Sequence, residues 1–191
     1  MPLEAEPGGE SVRRLFFALW PDEDVRDRLQ AIIAGLHDRV AARWVRREQF
    51  HITLFFLGAV PESDVPRLRR LELQWPEGFE LPLQDLRFLR RRQMIWLVPR
   101  TPPEGLRRLV QVLGEGLDAC GIGRDLRPFH AHLTLARKAR CDCLGPSSVA
   151  RIGWTVRSVE LMESVLDRSG AHYRVLQSWP LQAMPTGGSV E

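Results

Sequence analysis

A chain of 191 residues, 44% of them hydrophobic, has the material for one compact domain or for two small lobes sharing a cleft. Its net charge of +3 is mild and points only weakly to an anionic partner. No run approaches a membrane span, Met1 to Glu10 lacks a signal peptide's apolar segment, and the three cysteines form no repeating framework, which excludes a membrane protein or secreted disulfide scaffold and predicts a soluble, cytoplasmic protein.

Residues 1–12, rich in Glu, Gly and Pro, read as a loose tail. Arg13 to Trp20 reads as a strand. Pro21-Asp22-Glu23-Asp24 opens a helix, with Pro in the first turn and acidic groups facing the positive end of the dipole. Val25, Leu29, Ile32, Ile33, Leu36 and Val40 recur at helical spacing as its buried stripe. An arginine-rich connector (Arg43, Arg46, Arg47) leads into an apolar strand, His51 to Gly58, which Gly58 and Pro61 should stop. Val65, Leu68, Leu71 and Trp75 suggest a short second helix. Leu83 to Leu89 and Met94 to Pro99 read as a hairpin through Arg87, Arg90, Arg91 and Arg92. Each arginine group reads either as a solvated face or as forks for phosphate.

Thr101-Pro102-Pro103-Glu104 has the form of a capping box with Pro at the first helical position. Leu106, Leu109, Val110, Leu113 and Leu117 give that helix its stripe, and Gly121 its stop. Pro128 precedes a second apolar strand, His130 to Arg137. From Lys138 to Gly153 the pattern predicts loop with at most one short helix. Val156 to Leu166 and Tyr173 to Leu181 read as a hairpin, with Asp167-Arg168-Ser169-Gly170 in the turn. Strand, helix and apolar strand thus recur in order. The expected fold is α+β: two pseudo-symmetric lobes of mostly antiparallel sheet with outer helices and a cleft between them, in one domain over 13–182 with a tail at 183–191.

The two apolar strands carry one pattern twice: His51-Ile52-Thr53-Leu54 and His132-Leu133-Thr134-Leu135. Side chains alternate along a strand, so each copy presents an imidazole and a hydroxyl on one face and turns Ile52, Leu54, Leu133 and Leu135 to the other. Random placement of five His and five Thr in 191 residues would give only about 0.13 such His-x-Thr pairs.

Phe50 to Gly58 and Phe129 to Arg137 resemble the paired motifs of the 2H phosphoesterase superfamily, and within it the bacterial and archaeal RNA 2',3'-cyclic phosphodiesterases, also called 2'-5' RNA ligases. The likeness runs from Arg14 to Leu181, although many relatives carry Pro where this chain has Ala131, and the stretch after Arg137 looks unusual. The resemblance implies hydrolysis of RNA 2',3'-cyclic phosphate ends to 2'-phosphomonoesters. His51 would be the proton donor and His132 the acceptor, while Thr53, Thr134 and Arg137 hold phosphate. It implies no metal or other cofactor, a monomer, and RNA partners such as tRNA halves, with 2'-5' ligation as a further activity. Two imidazoles titrating near neutrality suit that division of labour. Strict alternation puts Arg137 on the face opposite His132, so its role requires a bulge after Leu135. Phe16, Phe17 and Tyr173 are candidates to stack on a base.

Two other readings stay open. His130 and His132 share a strand face, and with Cys141 and Cys143 they compose a zinc set, although Cys-x-Cys is not the usual knuckle spacing. A non-catalytic module that binds RNA ends would also use such motifs. His37 and His172 are expected at the surface.

Overall fold

The computed structural model describes residues 10–125, 127–140, 147–167 and 170–184. Strand β1 (Val12–Leu19) leads to helix α1 (Glu23–His37), the short strand β2 (Ala41–Trp44) and the first motif strand, β3 (Ile52–Pro61). Helix α2 (Val65–Arg69) precedes the hairpin of β4 (Phe79–Leu89) and β5 (Met94–Val98). Helix α3 (Glu104–Ala119) then leads to the second motif strand, β6 (Leu133–Arg140), followed by β7 (Ser147–Val156), β8 (Ser158–Asp167) and β9 (Gly170–Pro180).

The strands form two antiparallel sheets, one ordered β3-β1-β8-β9 and the other β2-β6-β5-β4-β7. Leaving out β2, the two orders correspond: β3 matches β6, β1 matches β5, β8 matches β4 and β9 matches β7. In each half a strand runs through a helix to the motif strand beside it, α1 matching α3. The α+β fold and its two-lobed plan are therefore as expected. One continuous core joins the lobes, however, because Leu15 and Leu19 of one sheet, Leu97 and Leu135 of the other, and Leu29 and Leu113 of the helices all belong to a single buried cluster.

Local chemistry explains the element ends. Asp22 caps α1 by accepting a hydrogen bond from the Val25 N–H (2.9 Å), so the helix begins after Pro21 rather than at it. Helix α3 ends as Gly121 predicts: with φ +65°, its N–H reaches the Asp118 carbonyl, and the Ile122 N–H reaches that of Leu117. Its start differs from the capping-box reading. Pro102 precedes another proline and is kept out of helical geometry, so Pro103 is the N-cap and Thr101 lies too far back to cap.

Two strands extend beyond expectation. Gly58 does not stop β3; with φ +75° it sits beside a bulge, and pairing with β1 continues to Pro61↔Val12. The stretch expected as loop holds the end of β6 and most of β7, a strand in which Ile152, Trp154 and Val156 are buried in alternation. At the amino end, β1 starts one residue early and the Ser11 carbonyl accepts from the Glu62 N–H. Residues 1–9, 126, 141–146, 168, 169 and 185–191 lie outside the described residues, and with them most of both tails, Cys141, Cys143 and the centre of the β8–β9 turn.

Helix α3 lies close to its neighbours because it carries glycines where they touch. A Cβ on Gly105 would sit 2.6 Å from the Phe79 ring of β4. Gly105→Ala is expected to destabilise the fold by about 1–3 kcal/mol, read from the denaturant midpoint.

Candidate active site

Each motif histidine lies one residue before its strand, where the chain enters the sheet. The Nδ1–H of His51 donates to the Gln49 carbonyl at 2.7 Å, and that of His132 to the His130 carbonyl at 2.7 Å. This tether fixes the same tautomer at both sites and leaves both Nε2 atoms for chemistry. Ile52 and Leu54, Leu133 and Leu135 all point into the core, which turns Thr53 and Thr134 to the histidine face.

The motif strands come from different sheets and approach one another. Their polar residues combine crosswise. His51 lines a cavity of about 280 Å³ together with Thr134, Arg137, Arg43 and Tyr173. His132 lines another, of about 380 Å³, together with Thr53, Arg92 and Trp96.

Arg137 reaches the site through a bulge. Trp96 of β5 pairs with Thr134 and Ile95 with Ala136, so Leu135 is the extra residue. Leu135 and Ala136 both turn into the core, and the alternation resumes with Arg137 on the histidine face. The residue that follows β2 supports the bulge, since the Val45 N–H donates to the Leu135 carbonyl at 2.9 Å. The first motif has the same device at Leu54, between the pairs Ala18↔Thr53 and Phe17↔Phe55. There the position of Arg137 is taken by Phe56, with the Arg14 guanidinium 4.7 Å from its ring centre.

Aromatic rings wall both histidines. Trp96 stacks on His132 with centroids 3.8 Å apart, while Trp20 stacks on His51 at 5.6 Å and Phe16 and Tyr173 also lie against it. Of the stacking candidates, Phe16 and Tyr173 belong to this wall, whereas Phe17 is in the main core. Neither tryptophan had a sequence signal, because a ring over an imidazole leaves no periodic trace. In the first arginine group, Arg47 is bound to Glu23 and Asp27 of α1 and holds the approach to His51 in place. His37 and His172 are exposed or nearly so. Among the described residues no three His, Cys, Asp or Glu side chains are grouped to hold a metal.

Burial pushes the His51 imidazole down to about 4, with the Arg137 and His132 charges adding to the effect and the Gln49 carbonyl opposing it. His132 is lowered in the same way, by burial first and then by Arg92, His130 and Arg137. The free site therefore holds His51 neutral at pH 7, and an anion bound between the imidazoles favours their protonated forms. By NMR titration His51 is expected to ionise near 4 in the free protein and at higher pH with inorganic phosphate bound. The sign for stability follows. An unfolded chain takes up this proton near 6.5 and the folded one only near 4, so the contribution of His51 is intact above 6.5 and is lost as pH falls through that window.

Two tethered imidazoles with free Nε2 atoms, two hydroxyls and a guanidinium are groups that can exchange protons with a bound anion and hold it by hydrogen bonds. The comparisons place the chain in a family. The 2'-5' RNA ligase superfamily matches residues 21–168, and the chain belongs to it. The RNA 2',3'-cyclic phosphodiesterase of Escherichia coli K12 is 32% identical over 171 residues, covering 88% of this chain and 97% of that one. The Thermus thermophilus protein of the same name is 29% identical over 187 residues, with 88% and 90% covered. The crystal structure of E. coli LigT complexed with 3'-AMP superposes with a TM-score of 0.80 at 31% identity, over 90% of this chain and 99% of that one. No helix among the described residues is long and apolar enough to cross a membrane.

Proposed function

We propose that this chain hydrolyses the 2',3'-cyclic phosphate ends of RNA to 2'-phosphomonoesters, with His51 as general acid and His132 as general base. The observation that carries the reading is the crosswise pairing of two identically tethered histidines from two sheets. In-line attack on phosphorus needs an acid and a base on opposite sides of it, and the two lobes supply one each. Water loses its proton to His132 Nε2 and bonds to phosphorus; the P–O3' bond breaks and O3' takes the proton from His51 Nε2. Thr53, Thr134 and Arg137 stabilise the charge that builds on the nonbridging oxygens.

His51 must be protonated to serve as acid, whereas the empty site holds it neutral. The incoming phosphate resolves this, because its negative charge opposes the burial and Arg137 effects that depress the imidazole. Both motifs lie in one chain, so a monomer has a complete site, and the scheme uses no metal or other cofactor. An RNA 5'-hydroxyl in the place of water would give a 2'-5' linkage by the same steps, which is how ligation of tRNA halves fits the proposal. The activities in the names of the relatives support the hydrolytic reading.

The test is incubation with a cyclic-phosphate oligonucleotide in excess chelator, followed by phosphorus NMR of the product. A dominant 2'-phosphate is expected. A dominant 3'-phosphate would reverse the orientation of the ribose or the histidine roles. Activity lost with a stoichiometric zinc ion would move the chemistry to the set that includes Cys141 and Cys143.

A further inference from the structure

We infer that the arginine-lined cavity beside His132 is a subsite for a single-stranded polynucleotide segment beyond the reacting nucleotide. The inference rests on the reading of the site as one that acts on RNA ends.

The two cavities that hold the motif residues measure about 280 and 380 Å³, room for little more than the terminal nucleotide. A third, of about 880 Å³, adjoins the larger of the two, the one that contains His132. Trp96, Phe129 and His130 line both this cavity and the one that contains His132 and Thr53, so they form a shared wall. Its other side is the β4–β5 hairpin, which contributes Arg87, Phe88 and Arg90.

The lining has the composition that single strands require. Bases need apolar ring surface, which Phe88, Phe129 and the part of Trp96 not stacked on His132 supply to this cavity, and the backbone needs cations. Arg100 in this lining faces Asp85. Arg87 and Arg90 are exposed and have no carboxylate partner among the described residues, so their charge is available to phosphates. The turn that carries Arg90 is fixed at its main chain. Gln93 closes the turn in the left-handed region (φ 50°), its N–H bonded to the Arg90 carbonyl and its carbonyl accepting from the Ala139 N–H of β6. A turn whose main chain is already ordered presents its side chains to a strand with less ordering cost than a mobile loop does.

The segment has two sources: the 5' extension of the cyclic-phosphate strand itself, or a separate strand on the side from which water attacks. Two measurements on the wild type and on the Arg87→Ala/Arg90→Ala double variant separate them. In the first, kcat/KM is compared for a mononucleoside 2',3'-cyclic phosphate and for a tetranucleotide with the same cyclic end. In the second, mononucleotide hydrolysis is measured with a 5'-hydroxyl tetranucleotide added as inhibitor.

If the substrate's own strand fills the cavity, the wild type favours the tetranucleotide by tenfold or more at low salt, and the double variant loses that preference. Its mononucleotide kcat/KM stays within twofold of wild type, which also shows that it is folded. The log–log salt dependence for the tetranucleotide becomes shallower by about 1 to 1.5, as expected for two lost phosphate contacts. If a second strand fills it, the added tetranucleotide inhibits the wild type and not the variant. The inference is overturned if the wild type shows neither length preference nor inhibition, or if the variant loses activity equally on both substrates. Hydrolysis of neither substrate by the wild type overturns the proposed function, and this subsite with it.

Discussion

Replacing either motif histidine with alanine is expected to lower kcat on a mononucleoside 2',3'-cyclic phosphate by about 10²- to 10⁴-fold, the usual cost of losing a positioned acid or base. Neither change should unfold the protein. Ile52 and Leu54, Leu133 and Leu135 anchor the two strands from the opposite face, and each lost tether ends on a main-chain carbonyl at the chain's entry into the sheet. Because the two imidazoles act in one transition state, the double variant should be little slower than the slower single one. A folded single variant with near-normal turnover would remove that histidine from the chemistry.

Arg137→Ala is expected to cost about 10²- to 10³-fold in kcat, comparable to removal of one preorganised donor to a developing oxyanion. The same variant has a second readout. Arg137 is one of the charges that depress His51, so its loss should let the imidazole ionise above its present value near 4. Arg137→Lys should keep the depression and recover only part of the rate, since an ammonium lacks the planar fork that matches two phosphate oxygens. Unchanged turnover together with an unchanged His51 titration would show that the guanidinium does not face the bound phosphate.

Much of the site could be read in the chain because a strand's period is simple. His and Thr two apart, with apolar residues between, were enough to place two side chains on one face twice over. Arg137 was not readable in that way. Its position depends on Leu135 being skipped in the ladder, and that carbonyl is occupied by Val45, about ninety residues earlier. The tryptophans beside the two histidines are likewise products of tertiary packing, whereas the carbonyls of Gln49 and His130 lie two residues before the imidazoles they hold and depend on the local backbone turn. Strand β7 was missed for another reason. The alternation of Ile152, Trp154 and Val156 is present in the sequence, but the Cys, Gly, Pro and Ser residues before it weaken the strand signal. Thr101 misled because a capping pattern says nothing about the two prolines inside it.

The order of the strands also bears on how the protein is made. The second sheet's β4, β5 and β6 are consecutive along the chain, so they can pair soon after they leave the ribosome. The first sheet cannot do so: β1, near the start of the chain, is flanked by β3 and by β8, which is synthesised almost last. The histidine strand β3 can pair with one edge of β1 early, but the other edge stays unpaired through most of synthesis, and closing so long a loop is slow. A chain cut short before Ser158 would retain both histidine motifs but lack the β8–β9 hairpin that carries Tyr173 to the wall of His51. Such a nascent chain has every reacting group and no finished cleft, so competence for RNA comes only with the last hairpin.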